Sequence, residues 1–225
     1  MCSSDLAAGE VASEMAVKFI ARELGSLKSM GDEQVAERMR QAIRAANAAI
    51  FQRTLTEHDK RGMGTTVTAL VLYDARFLIG QVGDSRAYLL RDGKLSQVTK
   101  DHSYVQEQVD AGYLTPDQAR AHPYSNVITR CVGANSDVLP DVYVGTVKPK
   151  DLFLLASDGL TGMLEDQQLF EILRRGGEPQ EQVDALIAEA NRLGGLDNIT
   201  AIIVRIDSVE APEAATTQAM RGVGR

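Results

Sequence analysis

The sequence is short of cysteine, of positive charge and of long apolar runs, and each shortage excludes something. Cys2 and Cys131 are the only cysteines, too few for a disulfide framework, so a reducing compartment suits the chain. No uninterrupted apolar stretch approaches the roughly 18–20 residues that a membrane helix needs. Lys and Arg total 24 against 31 Asp and Glu, a formal net charge of −7. A chain of that sign gains little from the counterion release that drives nucleic-acid binding; it is repelled by anionic lipid and attracts cations. Met1 to Glu10 has neither the basic start nor the apolar stretch of a signal peptide. The expectation is a cytoplasmic protein with no membrane span and no nucleic-acid partner. What is present is a chain of 225 residues, 44% of them apolar, which is too apolar for disorder and long enough to bury a sizeable core.

The first third has helical spacing. Val11, Met15, Phe19 and Leu24 recur at three to five positions, as do Val35, Met39, Ile43, Ala46 and Ile50. Gly25 to Gly31 separates the two runs, and Asp32 is placed to cap the second. From Thr65 the pattern becomes that of strands: Val67 to Tyr73, Phe77 to Val82, Ala87 to Leu90, Leu95 to Thr99, Asp141 to Val147, Asp151 to Ala156 and Ile199 to Ile206. Asp92-Gly93 supplies the positive-φ pair of a tight hairpin. Two late helices are expected over Asp166 to Arg175 and Pro179 to Leu193, stopped by Gly176 and Gly194. Short strand connections imply antiparallel sheets. Helix pairs before and after the strands predict an α+β fold, a four-layer α-β-β-α sandwich with antiparallel helix pairs outside. Tyr104 to Gly133, with short helical stretches near Val105 to Ala111 and Pro116 to Ala121, reads equally as a lid or as ordinary surface packing. Residues 207–225 lose periodicity and read as a disordered tail or a linker.

Three acidic residues stand out by position. Asp158 follows the apolar strand ending at Ala156, Asp197 precedes the one beginning at Ile199, and Asp84 follows Phe77 to Val82. If the two apolar strands are antiparallel neighbours, Asp158 and Asp197 meet on one rim, and Asp84 reaches it if its strand runs in the matching sense. Carboxylates gathered at the end of a buried sheet repel one another unless a cation lies between them, and all-oxygen ligation suits Mg²⁺ or Mn²⁺. Singly, each Asp beside a Gly or Asn is as readily a turn or cap residue. Cys131 reads as a packing residue. His58, His102 and His122 lack metal-site spacing and read as surface or capping residues.

Gly64-Thr65-Thr66, Gly83-Asp84-Ser85-Arg86-Ala87-Tyr88, Thr99-Lys100-Asp101-His102-Ser103, Asn126-Val127-Ile128-Thr129-Arg130, Ser157-Asp158-Gly159-Leu160 and Leu196-Asp197-Asn198-Ile199-Thr200 occur in that order. Each is weak alone; as an ordered series they are specific. From about Ala7 to Ile206 the chain resembles the bacterial branch of the PPM family, the metal-dependent protein serine/threonine phosphatases of type 2C. The resemblance implies an α-β-β-α sandwich with a phosphatase domain over residues 1–206 and a variable flap at about 104–133. It also implies a pair of Mn²⁺ or Mg²⁺ ions whose shared water attacks phosphoserine or phosphothreonine. By motif match, Asp158 and Asp197 are ligands of that pair, and Asp84 with Asp158 holds a third, weaker ion. The partners implied are phosphoproteins and a bacterial serine/threonine kinase, with a monomer expected.

One family motif is not matched. Relatives carry Asp-Gly-Met-Gly-Gly-His before the segment that corresponds to Ala7 to Ser13, and its Asp bridges both ions. Here the preceding residues are Met1-Cys2-Ser3-Ser4-Asp5-Leu6. Met1 stands at the place of the bridging Asp, and Asp5 falls on a glycine position. The phosphate-holding Arg and the Asn-Glu-Asp segment of relatives, together with the first strands of the sandwich, find no match either. The expectation is a fragment of an active phosphatase whose own activity is impaired. The alternatives are a non-catalytic relative that binds phosphoproteins or a kinase, and a phosphatase of the anti-sigma regulatory group, which typically lacks the flap.

Overall fold

Apolar residues spaced four apart wind one buried face onto each of two helices. In the computed structural model, which describes residues 2–3, 8–25 and 31–209, α1 (Gly9–Leu24) buries Ala12, Ala16, Ile20 and Leu24. In α2 (Asp32–Thr56), Val35, Met39, Ile43, Ala46 and Ile50 are buried. The two helices pack on each other as the spacing predicts. Asp32 is not the cap. Gly31 holds that position, and the Asp32 carboxylate instead accepts the Tyr73 hydroxyl at 2.8 Å and pairs with Arg76. The readings made on Met1, on Asp5 and on the tail beyond residue 209 lie outside the described residues, as do residues 26–30 between the helices.

A two-residue strand, β1 (Cys2–Ser3), pairs with β6 (Val127–Ile128). The main strands form two antiparallel sheets. β2 (Val67–Tyr73), β3 (Arg76–Val82) and β7 (Asp141–Thr146) make one, in the order β2-β3-β7. The other runs β5-β4-β8-β9, from β4 (Arg86–Arg91), β5 (Lys94–Gln97), β8 (Leu152–Ala156) and β9 (Ala201–Arg205). Asp92 and Gly93, at φ 51° and 74°, turn β4 into β5, the backbone that the Asp-Gly pair favours. Between β5 and β6 lie α3 (Tyr104–Asp110) and α4 (Pro116–Arg120), and after β8 come α5 (Asp158–Thr161), α6 (Asp166–Leu173) and α7 (Pro179–Arg192).

Alternation along the strands sorts the side chains into three layers of core. Leu78 and Val82 of β3 face the helices, packed with Met39, Ile43 and Ala16. Phe77 and Ile79 face the other sheet and meet Ala87 and Phe153. The Phe77 and Phe153 rings make an edge-on contact at 5.1 Å, a geometry aromatic pairs favour. Tyr88, Leu154 and Ala156 face outward onto Leu160, Leu169, Leu173 and Leu186 of α5 to α7. The chain therefore forms the expected α-β-β-α sandwich. Among the described residues no helix is long and apolar enough to cross a membrane.

Candidate metal centre

Antiparallel register brings two of the three aspartates together. In the β4–β8 pair Arg86 lies opposite Ala156, so Asp84 and Asp158 each stand two residues past the last pair at one rim, where the charge of Asp158 acts on Asp84. On the other side of β8, Ala156 lies opposite Ala201. That pairing continues past the strand ends, because Ser157 N–H donates to Thr200 O at 3.0 Å and Thr200 N–H donates to Ser157 Oγ at 3.0 Å. The Ser157 hydroxyl in turn donates to Asn198 O at 3.2 Å. The loops 83–85, 157–159 and 196–200 thus share one rim of the second sheet.

The Asp84 side chain is buried, at 8% exposure. Its carboxyl is pushed up to about 7, first by burial and then by the negative charges of Asp158 and Asp101. Arg86 works against this but is committed elsewhere. Its Nε lies 3.0 Å from both Asp101 oxygens, and its Nη2 donates to Asp101 Oδ2 at 2.7 Å. Asp158 is half-buried, and its Oδ1 accepts the Gly159 N–H at 2.9 Å. Asp197 is exposed, and its Oδ1 accepts the Asn198 N–H at 2.6 Å. Each of these two therefore has the local turn role that its sequence context also allowed. Among the described residues no three His, Cys, Asp or Glu side chains form a ready-made cation cage. The structure brings Asp84 to Asp158; it sets the Asp197 backbone against them but leaves that side chain in solvent. A buried and a half-buried carboxylate that repel each other are hard oxygen donors whose chemistry fits a divalent ion such as Mg²⁺ or Mn²⁺.

His102 departs from the sequence reading. It is buried, not on the surface, with Nδ1 accepting the Gly83 N–H at 3.1 Å and Nε2 3.1 Å from Asp141 Oδ2. An accepting Nδ1 places the ring proton on Nε2, which donates to Asp141. Burial holds this imidazole below its ordinary pKa, against the pull of Asp141. The run Thr99 to Ser103 is buried throughout except Lys100, and a polar run of that kind next to a strand end was the one available hint. Of the other histidines, His58 is exposed, and His122 Nδ1 accepts the Tyr124 N–H at 3.1 Å.

The segment between Tyr104 and Gly133 lies against this rim. Ser103 caps α3 by accepting the Gln106 N–H at 3.3 Å, and the rings of Tyr104, His122 and Tyr124 cluster at 5.6–6.0 Å. Arg120 Nη2 donates to Thr161 O at 3.0 Å, tying the segment to the short helix that Asp158 begins.

Gly159 fixes the spacing between the Asp158 and Asp197 loops. A Cβ there would stand 2.4 Å from the carbonyl oxygen of Asn198, a backbone atom that has no easy retreat. Gly159→Ala is therefore expected to cost about 2 kcal/mol, as overpacking does. Urea denaturation measures it, and an unchanged midpoint would show that the two loops do not touch as described.

Comparison with known proteins decides the family. The profile of Protein phosphatase 2C matches residues 3–189. The chain belongs to the protein phosphatase 2C family. The 2C-family chain is 37% identical over 203 residues to the serine/threonine phosphatase stp of Listeria monocytogenes, covering 89% of this chain and 80% of that one. It superposes on the crystal structure of the Mycobacterium tuberculosis serine/threonine phosphatase PstP/Ppp with a TM-score of 0.82 at 37% identity, over 88% of this chain and 83% of that one. A crystal structure of the PstP catalytic domain in complex with two manganese ions gives a TM-score of 0.80 at 36% identity, over 92% and 85% of the respective chains. The residues matched by the family include Asp84 and Asp158 and end before Asp197.

Proposed function

We propose that this 2C-family chain is a metal-dependent protein serine/threonine phosphatase, a hydrolase of phosphoserine and phosphothreonine in proteins. The observation that carries the reading is the buried Asp84 carboxyl standing in the field of Asp158, just past the paired ends of β4 and β8. Asp84, Asp158 and Asp197 would hold Mn²⁺ or Mg²⁺. Bound there, divalent ions lower the pKa of water and neutralise charge on a transferring phosphoryl group. The chain's own residues supply fixed donors. The β4–β8 ladder ends beside Asp84 and Asp158 at one rim, and the Ser157–Thr200 bonds hold the Asp197 loop beside it. Arg86 is committed to Asp101 and would leave the aspartates' charge for the ion to meet. No side-chain nucleophile is needed, which agrees with Cys131 being buried.

The relatives are named as phosphatases, and the presence of the flap speaks against the anti-sigma group. Neither alternative reading is favoured. A phosphatase domain over residues 1–206, a bacterial serine/threonine kinase whose products it reverses, a monomeric state and a cytoplasmic location belong to the same proposal.

With Mn²⁺ added, the protein is expected to release phosphate from phosphothreonine peptides, and EDTA is expected to abolish that release. Turnover untouched by EDTA refutes the reading. Release by these 225 residues alone is expected to be slow, since the sequence contains no Asp-Gly-Met-Gly-Gly-His.

A further inference from the structure

The loop that carries Asp84 is gripped by a side chain that has no place in the ligand set. Gln81, the penultimate residue of β3, is fully buried. Its amide nitrogen donates to Gly83 O at 2.9 Å and to Ser85 O at 2.7 Å, the carbonyls on either side of Asp84. Its amide oxygen accepts the Thr68 hydroxyl at 2.6 Å. That orientation is forced, since only the nitrogen can serve two carbonyls and only the oxygen can accept a hydroxyl proton. On the far side Gly83 closes a pair of bonds with His102, its N–H donating to Nδ1 at 3.1 Å and its O accepting the His102 N–H at 2.9 Å. The Ser85 and Thr66 hydroxyls share a bond at 2.9 Å. The backbone around Asp84 is thus tied on every side while its carboxyl stands in the field of Asp158 and Asp101.

Left loose, a loop carrying a repelled, buried carboxylate would swing toward solvent. We propose that Gln81 is a positioning residue for the divalent ion: by bonding the carbonyls of Gly83 and Ser85 at once, it keeps the Asp84 carboxylate presented to Asp158. A fully buried amide adds little to the hydrophobic core, and this one, its oxygen held by Thr68, spends its nitrogen on the one loop whose geometry an ion would sense. The inference rests on the assignment of Asp84 as a ligand, and the experiment separates the two.

Mn²⁺ is titrated calorimetrically into the 225-residue chain and into Gln81→Met, Asp84→Asn and the double variant, with melting of each measured in EDTA. Asp84→Asn is expected to weaken binding by about tenfold or more, since loss of even a residue one step removed from a metal costs ten- to a hundredfold. Gln81→Met, close to glutamine in volume but unable to bond either carbonyl, is expected to weaken it about tenfold, and the double variant to bind no more weakly than Asp84→Asn, because the two residues act through one ligand. A role confined to packing would lower the melting temperature and leave the affinity of the folded protein and its additivity untouched. Wild-type affinity in Gln81→Met beside weakened Asp84→Asn overturns the clamp and leaves the ligand assignment standing. Unchanged binding in Asp84→Asn, or no binding by the wild-type chain, overturns both. Should Gln81→Met not fold, Thr68→Val, which removes the hydroxyl that orients the Gln81 amide and also reaches Ser85 O at 3.1 Å, is expected to weaken binding about threefold, and an unchanged affinity there overturns the clamp.

Discussion

Asp158→Asn is expected to lower the Mn²⁺ affinity of the chain about 100-fold and to remove Mn²⁺-dependent phosphate release. Loss of a residue one step removed from a metal costs ten- to a hundredfold, and a carboxylate that faces a second carboxylate at the same rim should cost no less. The substitution is nearly isosteric and keeps an oxygen for the Gly159 N–H, which Asp158 Oδ1 now accepts at 2.9 Å. It also removes one of the charges that raise Asp84. The metal-free variant is therefore expected to melt no lower than the wild type. Calorimetric titration and melting, run on the same samples, separate a lost ligand from a lost fold. Wild-type affinity in the variant would sink the ligand assignment. Asp197→Asn, on the exposed neighbouring loop, is expected to cost less, under about tenfold.

Asp84→Asn is expected to stabilise the metal-free protein, and only at high pH. The folded chain holds this carboxyl at about 7 against an ordinary 3.8. Between those values the native state binds more proton than the unfolded chain, so stability falls as pH rises through the window, and the whole penalty is present above about 7. Each tenfold difference in proton affinity between the folded and unfolded chain is worth roughly 1.4 kcal/mol. Removing the ionisable group should therefore gain on the order of 3 kcal/mol at about pH 8 and little near pH 4. Asparagine also places an amide donor beside the Asp158 and Asp101 carboxylates. Urea denaturation in EDTA at the two pH values is the measurement, and an equal effect at both would refute the electrostatic cause. Adding Mn²⁺ is expected to reverse the order, stabilising the wild type while leaving the variant where it was. The repulsion between these carboxylates without a metal is thus expected to be the counterpart of the rim's affinity for a cation.

Much of this was open to a reader of the sequence, for a local reason. Apolar spacing in α1 and α2, alternation in β3 and β8, and the Asp92-Gly93 turn each follow from side chains within one turn or one strand of each other. They placed nearly every helix and strand and, through them, the four layers. Strand ends are equally local, which is why Asp84, Asp158 and Asp197 could be set at the ends of strands. The Asp32 cap failed where a distant group intervened, because Tyr73 and Arg76 on the first sheet draw its carboxylate away from the helix end. His102 failed likewise, since its partners are Gly83 and Asp141 on other elements.

By itself, then, the sequence determined the layers, the rim and the aspartates that stand there, because periodicity and turn chemistry act over a few residues. Only the tertiary structure decided that Asp84 is buried within reach of the Asp158 charge, that the Asp197 side chain faces solvent on the neighbouring loop, and that Gln81 and His102 bond the backbone around Asp84. Those facts depend on register across paired strands and on hydrogen bonds between residues far apart in the chain, which no local pattern encodes.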